Sequence, residues 1–351
     1  MRIGVPREIK EGERRVALLP PEIEQLTAAD HEVFVQHDAG AGVGVGDDEY
    51  RRAGAALVNA ADAWNHPLVV KVKEVLDGDF VHARPGQAVF GFAQLPRFPA
   101  RTRALAQHRL TAIGFELVRD DRGGYPLLAP MSVISGRMAV EAVRRFLPPS
   151  PRVLVLGAGN AGLSAARTAR EHGARVTVLT RTERSRDAAK ADGFDAGIAT
   201  PATIEAAALD ADLVVGAVLR PGEPTPKLVP RALVRRMRRG AVIADICVDG
   251  GGVAETSRPT THADPTYVEE GVIHYAIANI PGADPVAAAT AISRAAFPFV
   301  ASLASRGIAG ALRADPGLRA AVLLWKGRIT HPVIAEETGL PYTPLSDADL
   351  A

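Results

Sequence analysis

The stretch Arg152-Val-Leu-Val-Leu-Gly157-Ala-Gly159-Asn-Ala-Gly162-Leu-Ser164 places the pattern G-x-G-x-x-G directly after an apolar, strand-like run and at the start of a helical one. Gly157 permits a tight turn, Gly159 lets the backbone approach a pyrophosphate, and Gly162 lets helix and strand pack closely. The helix N-terminus attracts the phosphate charge. The stretch therefore predicts a dinucleotide-binding loop made of Gly157, Gly159, Asn160, Ala161 and Gly162.

Short apolar runs alternate with helix-period segments along the chain, which is typical of βα units around a mostly parallel sheet. From the glycine loop onward, the pattern predicts a doubly wound sheet with strands at 152–156, 174–179, 212–218, 241–246 and 272–277 and helices at 161–172, 202–209 and 230–238. Before the loop, it predicts strands at 2–5, 32–36, 69–72, 88–92 and 112–115 and a helix at 22–29. The predicted fold class is α/β.

The chain is expected to form two Rossmann-like domains with a cleft between them. A helix at 132–146 leads into Leu147-Pro-Pro-Ser-Pro151, whose prolines end the helix and stiffen the joint. An Ala-rich helix from Pro285 to about Arg306 is long enough to return to the first domain. We therefore expect a discontinuous substrate domain at 1–130 and 288–351 and a dinucleotide-binding domain at 131–287.

Composition favours a small-molecule ligand. The 41 basic and 40 acidic side chains form no long block of one sign, so no broad field would draw the chain to nucleic acid or a membrane. The charged N-terminus and the lack of an apolar run of about 18 residues predict a cytoplasmic protein. Cys247 is expected to be a buried, inert thiol. The nine histidines show no metal-binding spacing, so we expect no metal.

The residues after the second strand of the dinucleotide-binding domain favour a phosphorylated cofactor. An NAD-binding domain usually has Asp or Glu there to accept the ribose hydroxyls. This chain has Thr180 followed by Arg181-Thr-Glu-Arg-Ser-Arg186, so hydroxyl and guanidinium groups stand where a 2′-phosphate would lie. Glu183 keeps NAD(H) open as the alternative. The sequence favours NADP(H) over NAD(H), bound by Thr180, Arg181, Thr182 and Arg184.

A second glycine cluster, Gly40-Ala-Gly-Val-Gly-Val-Gly46, is not predicted to be a phosphate loop. No helix-opening pattern follows it at the right register. We interpret the cluster as a mobile surface loop.

Motifs spread over nearly the whole chain resemble those of alanine dehydrogenase. Related members include the nucleotide-binding part of the proton-pumping transhydrogenase and enzymes that form N-carboxyethyl amino acids. This ordered set is more specific than the glycine loop, which it includes. The other motifs are Met1 to Pro20, Val69-Val-Lys-Val-Lys-Glu74, Leu127-Leu-Ala-Pro-Met-Ser132, Ala217-Val-Leu-Arg-Pro-Gly222, Asp245-Ile-Cys-Val-Asp-Gly-Gly-Gly252, Ser257-Arg-Pro-Thr-Thr261 and Ala278-Asn-Ile-Pro281.

In that family a basic pair holds a 2-oxo acid, and the resemblance assigns this role to Arg15 and Lys73. A guanidinium can grip a carboxylate bidentately, while an ammonium can polarise a carbonyl or imine as hydride arrives. The two-residue period of a strand places Lys71 and Lys73 on the same face, so the motif alone leaves both open. The resemblance selects Lys73.

The resemblance also assigns Asp249 as the acid next to the nicotinamide, where it could orient ammonia or take part in proton transfer. Asp245 is the competing carboxylate, and Asp249 could instead simply form a turn before three glycines. By resemblance, Met131 and Asn279 would contact the substrate. The resemblance also places four residues at the cofactor: Ser132, Ala217, Val218 and Ile280.

Two positions depart from the family. Where alanine dehydrogenases carry a catalytic histidine, this chain reads Phe90-Gly-Phe-Ala-Gln94, and an amide can hydrogen-bond but cannot shuttle a proton. Either another group such as Lys73 has taken over, or the substrate arrives as a preformed imine. The link between Phe146 and Arg152 is also shorter than the family's glycine-rich excursion, which contributes to subunit packing. We therefore expect a homodimer rather than a hexamer.

The combined expectation is an NADP(H)-dependent reductase that converts a carboxylate-bearing imine, or a 2-oxo acid with an amine, into an amino acid. Arg15 would hold the carboxylate, Lys73 the reacting polar group and Asp249 the amine side. Gln94 would shape selectivity. The alternatives are alanine dehydrogenase acting on pyruvate and ammonia, an N-carboxyethyl amino acid synthase, and a noncatalytic NADPH-binding protein.

Overall fold

The computed structural model describes residues 1–95, 98–218 and 224–351. Residues 219–222, which complete the motif that begins at Ala217, lie outside this part. The described chain forms two compact units, Met1–Pro130 with Asp284–Ala351 and Met131–Ala283. Both units are of the α/β class, as the sequence predicts.

The elements are numbered along the chain. The strands are β1 (Arg2–Val5), β2 (Glu32–Gln36), β3 (Ala56–Val58), β4 (Leu68–Val70), β5 (Ala88–Gly91), β6 (Thr111–Gly114), β7 (Arg152–Leu156), β8 (Arg175–Thr180), β9 (Asp195–Ile198), β10 (Leu213–Gly216), β11 (Val242–Asp245), β12 (Thr266–Glu269), β13 (Val272–Tyr275), β14 (Val322–Trp325) and β15 (Arg328–Ile329). The helices are α1 (Pro20–Ala28), α2 (Asp47–Arg52), α3 (Ala60–Trp64), α4 (Asp77–Phe80), α5 (Pro99–Gln107), α6 (Leu128–Val143), α7 (Asn160–Glu171), α8 (Glu183–Ala191), α9 (Pro201–Asp210), α10 (Arg231–Val234), α11 (Pro285–Ala314), α12 (Pro316–Arg319) and α13 (Pro332–Thr338).

The first unit is built on one sheet in the order β15-β14-β6-β5-β4-β1-β2-β3. Strands β1 to β6 pair in parallel, and β14 pairs antiparallel with both β6 and β15. The direction of chain progression reverses between the neighbours β1 and β4. Because ligands of open α/β sheets bind outside the carboxyl ends of the strands at such a switch point, the segments after Val5 and Val70 are the place to look for a site.

The second unit has the order β12-β13-β11-β10-β7-β8-β9, parallel except for the edge strand β12. Its switch point lies between β7 and β10. Alternate residues of β7 join two separate cores: Val153 and Val155 pack with residues of α7, while Leu154 and Leu156 pack with residues of α9. The unbroken apolar run of β7 thus reflects a parallel strand that is covered on both faces.

Several predicted elements are shorter than expected, among them strands β4, β10, β11 and β13 and helix α10. Strand β4 ends at Val70, so Lys71 and Lys73 lie beyond it, and the expectation that they share one strand face is wrong. Helix α10 ends at Val234 rather than at 238, since the N–H of Arg236 bonds to the carbonyl of Leu233 three residues back and the chain turns.

The second glycine cluster is partly packed and partly at the surface: Gly40 and Val43 are buried, whereas Gly42, Gly44 and Gly46 are exposed. Residues 41–43 form a 3-10 turn in which Val43 is buried, and α2 begins at Asp47. A Cβ added to Gly42 would lie 2.4 Å from the carbonyl oxygen of Arg14, so the cluster packs directly under the segment that carries Arg15. The first turn of α2 holds three acidic residues, which would repel a phosphate.

The long Ala-rich helix α11 belongs to the first unit. Gly307 has non-helical angles of φ 72° and ψ 159°, which interrupt α11 directly after the predicted end near Arg306. By length and composition alone, α11 could span a membrane, a test that the core helices of soluble proteins also pass. Its buried face carries Ile292, Ala296 and Val300.

Ser293 links α11 to α1 through hydrogen bonds, so its substitution tests this packing. Its Oγ donates to Glu22 Oε2 at 2.6 Å and accepts the Leu19 N–H at 2.8 Å, and Ser293 is wholly buried. Ser293→Ala removes the hydrogen-bond partner of the buried Glu22 carboxylate and of the partly buried Leu19 N–H, so we expect the free energy of unfolding in urea to fall by about 1–3 kcal/mol. Ser302→Ala on the same helix should stay within about 0.5 kcal/mol of the parent. Equal losses in the two variants would contradict this role.

Candidate active site

The first unit brings Arg15 and Lys73 together at its switch point. Arg15 lies in the segment after β1 and Lys73 in the turn after β4, and both residues are buried, with 2% and 6% exposed. Burial, and after it the charges of Arg15 and Lys10, lower the pKa of Lys73 to about 8. The site therefore holds one permanent cation beside a lysine that exchanges its proton near neutral pH.

Glu13 fixes the plane of the Arg15 guanidinium. Nε and Nη2 of Arg15 donate to the two carboxylate oxygens of Glu13 at 2.6 and 2.5 Å, and the backbone N–H of Arg15 donates to Oε1 at 3.0 Å. Burial acts to raise the pKa of Glu13, but the hydrogen bonds and charge of Arg15 outweigh it and hold the pKa at about 2. Glu13 therefore stays ionised near neutral pH and keeps Arg15 in one orientation.

Lys71 has a different environment from Lys73. Its side chain is wholly buried, and Nζ donates to Asp79 Oδ2 at 2.8 Å and lies 3.4 Å from Glu8 Oε2. Burial acts to lower the pKa of Lys71, but the charges of Glu8 and Asp79 outweigh it and raise the pKa above its usual value. Lys71 is thus held as an ammonium and is unsuited to release a proton near neutral pH.

The same ion cluster shapes the turn that carries Lys73. Glu8 Oε1 accepts the backbone N–H groups of Val72 and Lys73 at 2.6 and 3.2 Å. Asp79 Oδ2 accepts the N–H of Leu76 at 2.9 Å. Both ends of the turn are therefore tied to carboxylates that share one buried ammonium.

Gln94 lies in the segment after β5, the neighbour of β4. Lys73, Phe92 and Ala93 line one small pocket, and Gln94 follows directly in the chain. Gln94 has a left-handed backbone with φ 49°, and its N–H donates to Glu116 Oε1 at 2.7 Å. Because the rest of the lining is mainly apolar core such as Leu105 and Ala112, this pocket shows that the segment before Gln94 passes near Lys73 and does not itself mark the substrate position.

In the second unit the glycine loop joins β7 to α7 at the switch point. A Cβ at Gly162 would lie 1.9 Å from the carbonyl oxygen of Gly157, whereas a Cβ at Gly159 would have no neighbour within 4 Å. Gly159 and Asn160 are exposed at the N-terminus of α7, and Ala161 follows in its first turn. The open space and the helix N-terminus fit a pyrophosphate.

Polar side chains surround the end of β8. Thr180 ends the strand and is buried, while Arg181, Thr182 and Arg184 are exposed. Thr182 caps α8, and the side chain of Glu183 in the first turn is 81% exposed. The hydroxyl and guanidinium groups predicted to meet a ribose therefore lie beside the glycine loop, because β7 and β8 are neighbours.

Asp245, the competing carboxylate, has a structural role. It accepts the N–H groups of Cys247 and Val253 at 3.1 and 2.7 Å and the hydroxyl of Ser257 at 2.5 Å. Burial raises the pKa of Asp245 even though these hydrogen bonds lower it. Asp245 thereby closes the loop after β11, which carries Asp249 as an exposed residue on a 3-10 turn.

The remaining predicted residues of the second unit also follow its strands, except for two in α6. The Sγ of Cys247 accepts the N–H of Val218 at 2.9 Å, and burial raises the pKa of this thiol. Asn279 has φ 73°, and its carbonyl accepts a hydrogen bond from His262 Nε2 at 3.2 Å. The predicted residues lie in α6 (Met131 and Ser132), after β10 (Ala217 and Val218) and after β13 (Asn279 and Ile280).

Sequence reasoning missed the carboxylates that position the predicted residues. Glu8 contacts a turn more than sixty positions away, and Glu116 contacts the backbone of Gln94 from the next strand. Neither contact leaves a local sequence pattern. Glu13 could have been found, since an acid two residues before an arginine in the same loop can reach its guanidinium.

Family comparisons match most of the chain. The model "Alanine dehydrogenase/PNT, N-terminal domain" matches residues 4–135, and "Alanine dehydrogenase/PNT, C-terminal domain" matches residues 143–332. Alanine dehydrogenase of Staphylococcus haemolyticus is 38% identical, over 99% of both chains. Alanine dehydrogenase of Halomonas elongata is 39% identical, over 97% of this chain and 98% of the relative.

Two solved structures extend the comparison to the fold. An L-alanine dehydrogenase superposes with a TM-score of 0.92 at 37% identity and covers 100% of both chains. A transhydrogenase from Sinorhizobium meliloti superposes with a TM-score of 0.83 at 24% identity, over 95% of this chain and 99% of that one. The second likeness bears on the fold alone.

Gly162 and Gly159 should respond differently to a methyl group. Gly162→Ala forces the loop away from α7, so we expect the free energy of unfolding to fall by about 1–3 kcal/mol. Gly159→Ala should leave stability nearly unchanged but weaken nicotinamide nucleotide binding, because the methyl occupies the approach of the pyrophosphate. Urea unfolding and a fluorescence titration measure the two effects. A stable Gly162→Ala variant would contradict the tight packing.

Proposed function

We propose, from the premise that this chain belongs to the alanine dehydrogenase/PNT family, that it interconverts L-alanine with pyruvate and ammonia. The chain is an oxidoreductase of the class that acts on CH–NH2 donors. The observation that carries the proposal is the pair of buried cations, Arg15 and Lys73, with the pKa of Lys73 at about 8. The full-length relatives favour this reaction over the wider expectation of an imine reductase.

Arg15 would bind the substrate carboxylate. Its guanidinium is already oriented by Glu13, so little conformational freedom is lost when an anion arrives. The low exposure of Arg15 strengthens its attraction to a carboxylate, because the surroundings screen charge less than water does. Arg15 would thus fix the acid end of pyruvate or alanine.

Lys73 would move the proton. A pKa of about 8 leaves both the ammonium and the amine populated near neutral pH, as a general acid–base catalyst requires. The Nζ ammonium would polarise and protonate the carbonyl oxygen of pyruvate, and the amine would accept a proton in the reverse direction. Gln94 can only orient the substrate by hydrogen bonds, so Lys73 would take over the proton transfer.

The second unit would supply the cofactor and the amine side. When bound, the nicotinamide cofactor accepts a hydride from the substrate carbon or returns it. Asp249 would orient ammonia or the amino group, while Met131 and Asn279 would contact the substrate. Ser132, Ala217 and Val218 would line the cofactor together with Ile280.

The pH dependence of the two directions tests the role of Lys73. Oxidation of L-alanine needs the neutral amine, so kcat/KM should rise with pH and level off above about pH 8. Reduction of pyruvate with ammonia needs the ammonium and should decline above the same pH. Steady-state assays of nucleotide absorbance in both directions measure these profiles.

Substitutions separate Lys73 from general charge effects. Lys73→Ala should lower kcat/KM by about 10²–10⁴-fold, the usual contribution of general acid–base catalysis, while nucleotide binding persists. Lys190→Ala, which changes an exposed lysine of α8, should leave activity unchanged. Wild-type activity in Lys73→Ala would exclude the proposed role.

We further propose that the cofactor is NADP(H). Thr180 stands where an acid would repel a 2′-phosphate, and the exposed Arg181 and Arg184 can bind one. Glu183 points into solvent from the first turn of α8 and lies 3.6 Å from Arg186, which also pairs with Asp187. This pairing supports the arginines rather than Glu183 as the contacts to the ribose.

Arg181→Ala tests the cofactor preference. Loss of one charge-assisted hydrogen bond costs about 1.5–3 kcal/mol, so the Kd for NADPH should rise roughly 10- to 100-fold. The Kd for NADH should change by less than about 2-fold, since NADH lacks the phosphate. Arg175→Ala at the opposite end of β8 is the matched control and should affect neither nucleotide. Equal losses for NADPH and NADH would rule out the assignment.

One observation supports a second candidate function, which is the reduction of a preformed carboxylate-bearing imine. Such a substrate needs no acid to form the imine, so Gln94 in place of the family's histidine would be no handicap. Turnover of cyclic imines without turnover of pyruvate and ammonia would select this candidate.

A further inference from the structure

The carboxylate of Glu116 lies directly behind the backbone of Gln94. Glu116 follows β6 in a 3-10 turn, and Gln94 follows β5, the parallel neighbour of β6. Oε1 accepts the N–H of Gln94 at 2.7 Å, and both carboxylate oxygens lie 3.2 Å from the N–H of Ala93. Two successive backbone donors therefore converge on one carboxylate, as in the nests that bind anions.

This contact accounts for the unusual backbone of Gln94. A φ of 49° is rare for a residue other than glycine and persists only where the surroundings enforce it. A hydrogen bond to a carboxylate is about twice as strong as one between neutral groups. The Glu116 carboxylate therefore favours the left-handed conformation of Gln94.

The conformation determines where the Gln94 side chain begins. Relaxation of Gln94 to a right-handed backbone would redirect its Cβ and move Ala93, which lines the pocket together with Lys73 and Phe92. A side chain that acts only by hydrogen bonds depends on its direction. The position of the Gln94 amide therefore depends on Glu116.

We propose that Glu116 is a positioning residue that holds Gln94 in its left-handed conformation and so aims the Gln94 amide at the substrate. The second part of this inference rests on the proposed function. Glu116 acts through the backbone and need not touch substrate or cofactor. Burial raises the pKa of the Glu116 carboxyl, and the hydrogen bonds from the backbone of Gln94 and Ala93 act to lower it.

Hydrogen exchange tests the nest without any assay of activity. Glu116→Gln keeps the size of the side chain but removes the charge, so the amides of Ala93 and Gln94 should exchange at least about 10-fold faster. Glu22→Gln is the matched control: it changes another carboxylate of the first unit, one that accepts the Ser293 hydroxyl and should leave exchange at Ala93 and Gln94 unchanged. Unaltered exchange in folded Glu116→Gln would overturn the proposal.

A double-mutant cycle tests the consequence for the reaction. Glu116→Gln should lower kcat/KM roughly 10-fold, with Glu116→Asp intermediate. In a Gln94→Ala background the same change should cost less than about 2-fold, because no amide remains to be aimed. Additive losses would overturn the proposed path through Gln94. An inactive wild type with faster exchange in Glu116→Gln would instead refute the proposed function and leave the nest supported.

Discussion

The buried ammonium of Lys71 is the constraint on which the first unit's site depends. A charge without exposure is tolerated only if it is paired and its partners are hydrogen-bonded. Glu8 and Asp79 meet this condition, and each also binds backbone N–H groups of the turn that follows β4. The ion cluster therefore fixes the path of the chain as it leaves the sheet, and with it the origin of the Lys73 side chain.

Two lysines only two residues apart thus acquire opposite properties. Lys71 faces two carboxylates, which raise its pKa against the effect of burial. Lys73 faces Arg15 and Lys10, whose charges add to burial and lower its pKa. One lysine holds structure because it keeps its proton, and the other is suited to chemistry because it can give its proton up. Neither pKa shift follows from the lysine side chain itself, because both are caused by the neighbouring charges and by burial.

The sequence alone predicts the features whose physical cause lies in residues that are close together in the chain. The glycine loop and the strands β7, β8, β10, β11 and β13 follow from spacing and hydropathy, and the α/β class follows from the alternation of strands with helices. The edge strands β9 and β12 of the same sheet were not predicted. The prediction that Lys71 and Lys73 share one strand face was wrong because β4 ends at Val70. Beyond Val70 the backbone is held by hydrogen bonds to carboxylates that are distant in sequence. Strands β14 and β15 were missed since they join the first sheet only after the chain returns from the second unit.

The same kind of contact, a carboxylate that accepts backbone N–H groups, recurs in the segments that follow the carboxyl ends of the strands. Glu8 holds the backbone at Lys73, Glu116 holds it at Gln94, and Asp245 closes the loop that carries Asp249. In each case the carboxylate binds backbone N–H groups, not the side chain proposed to act. The side chain can then be exchanged while its support remains. The hydrogen bonds that fix the backbone at position 94 therefore do not depend on the Gln94 side chain, so the fold around this position tolerates different side chains there.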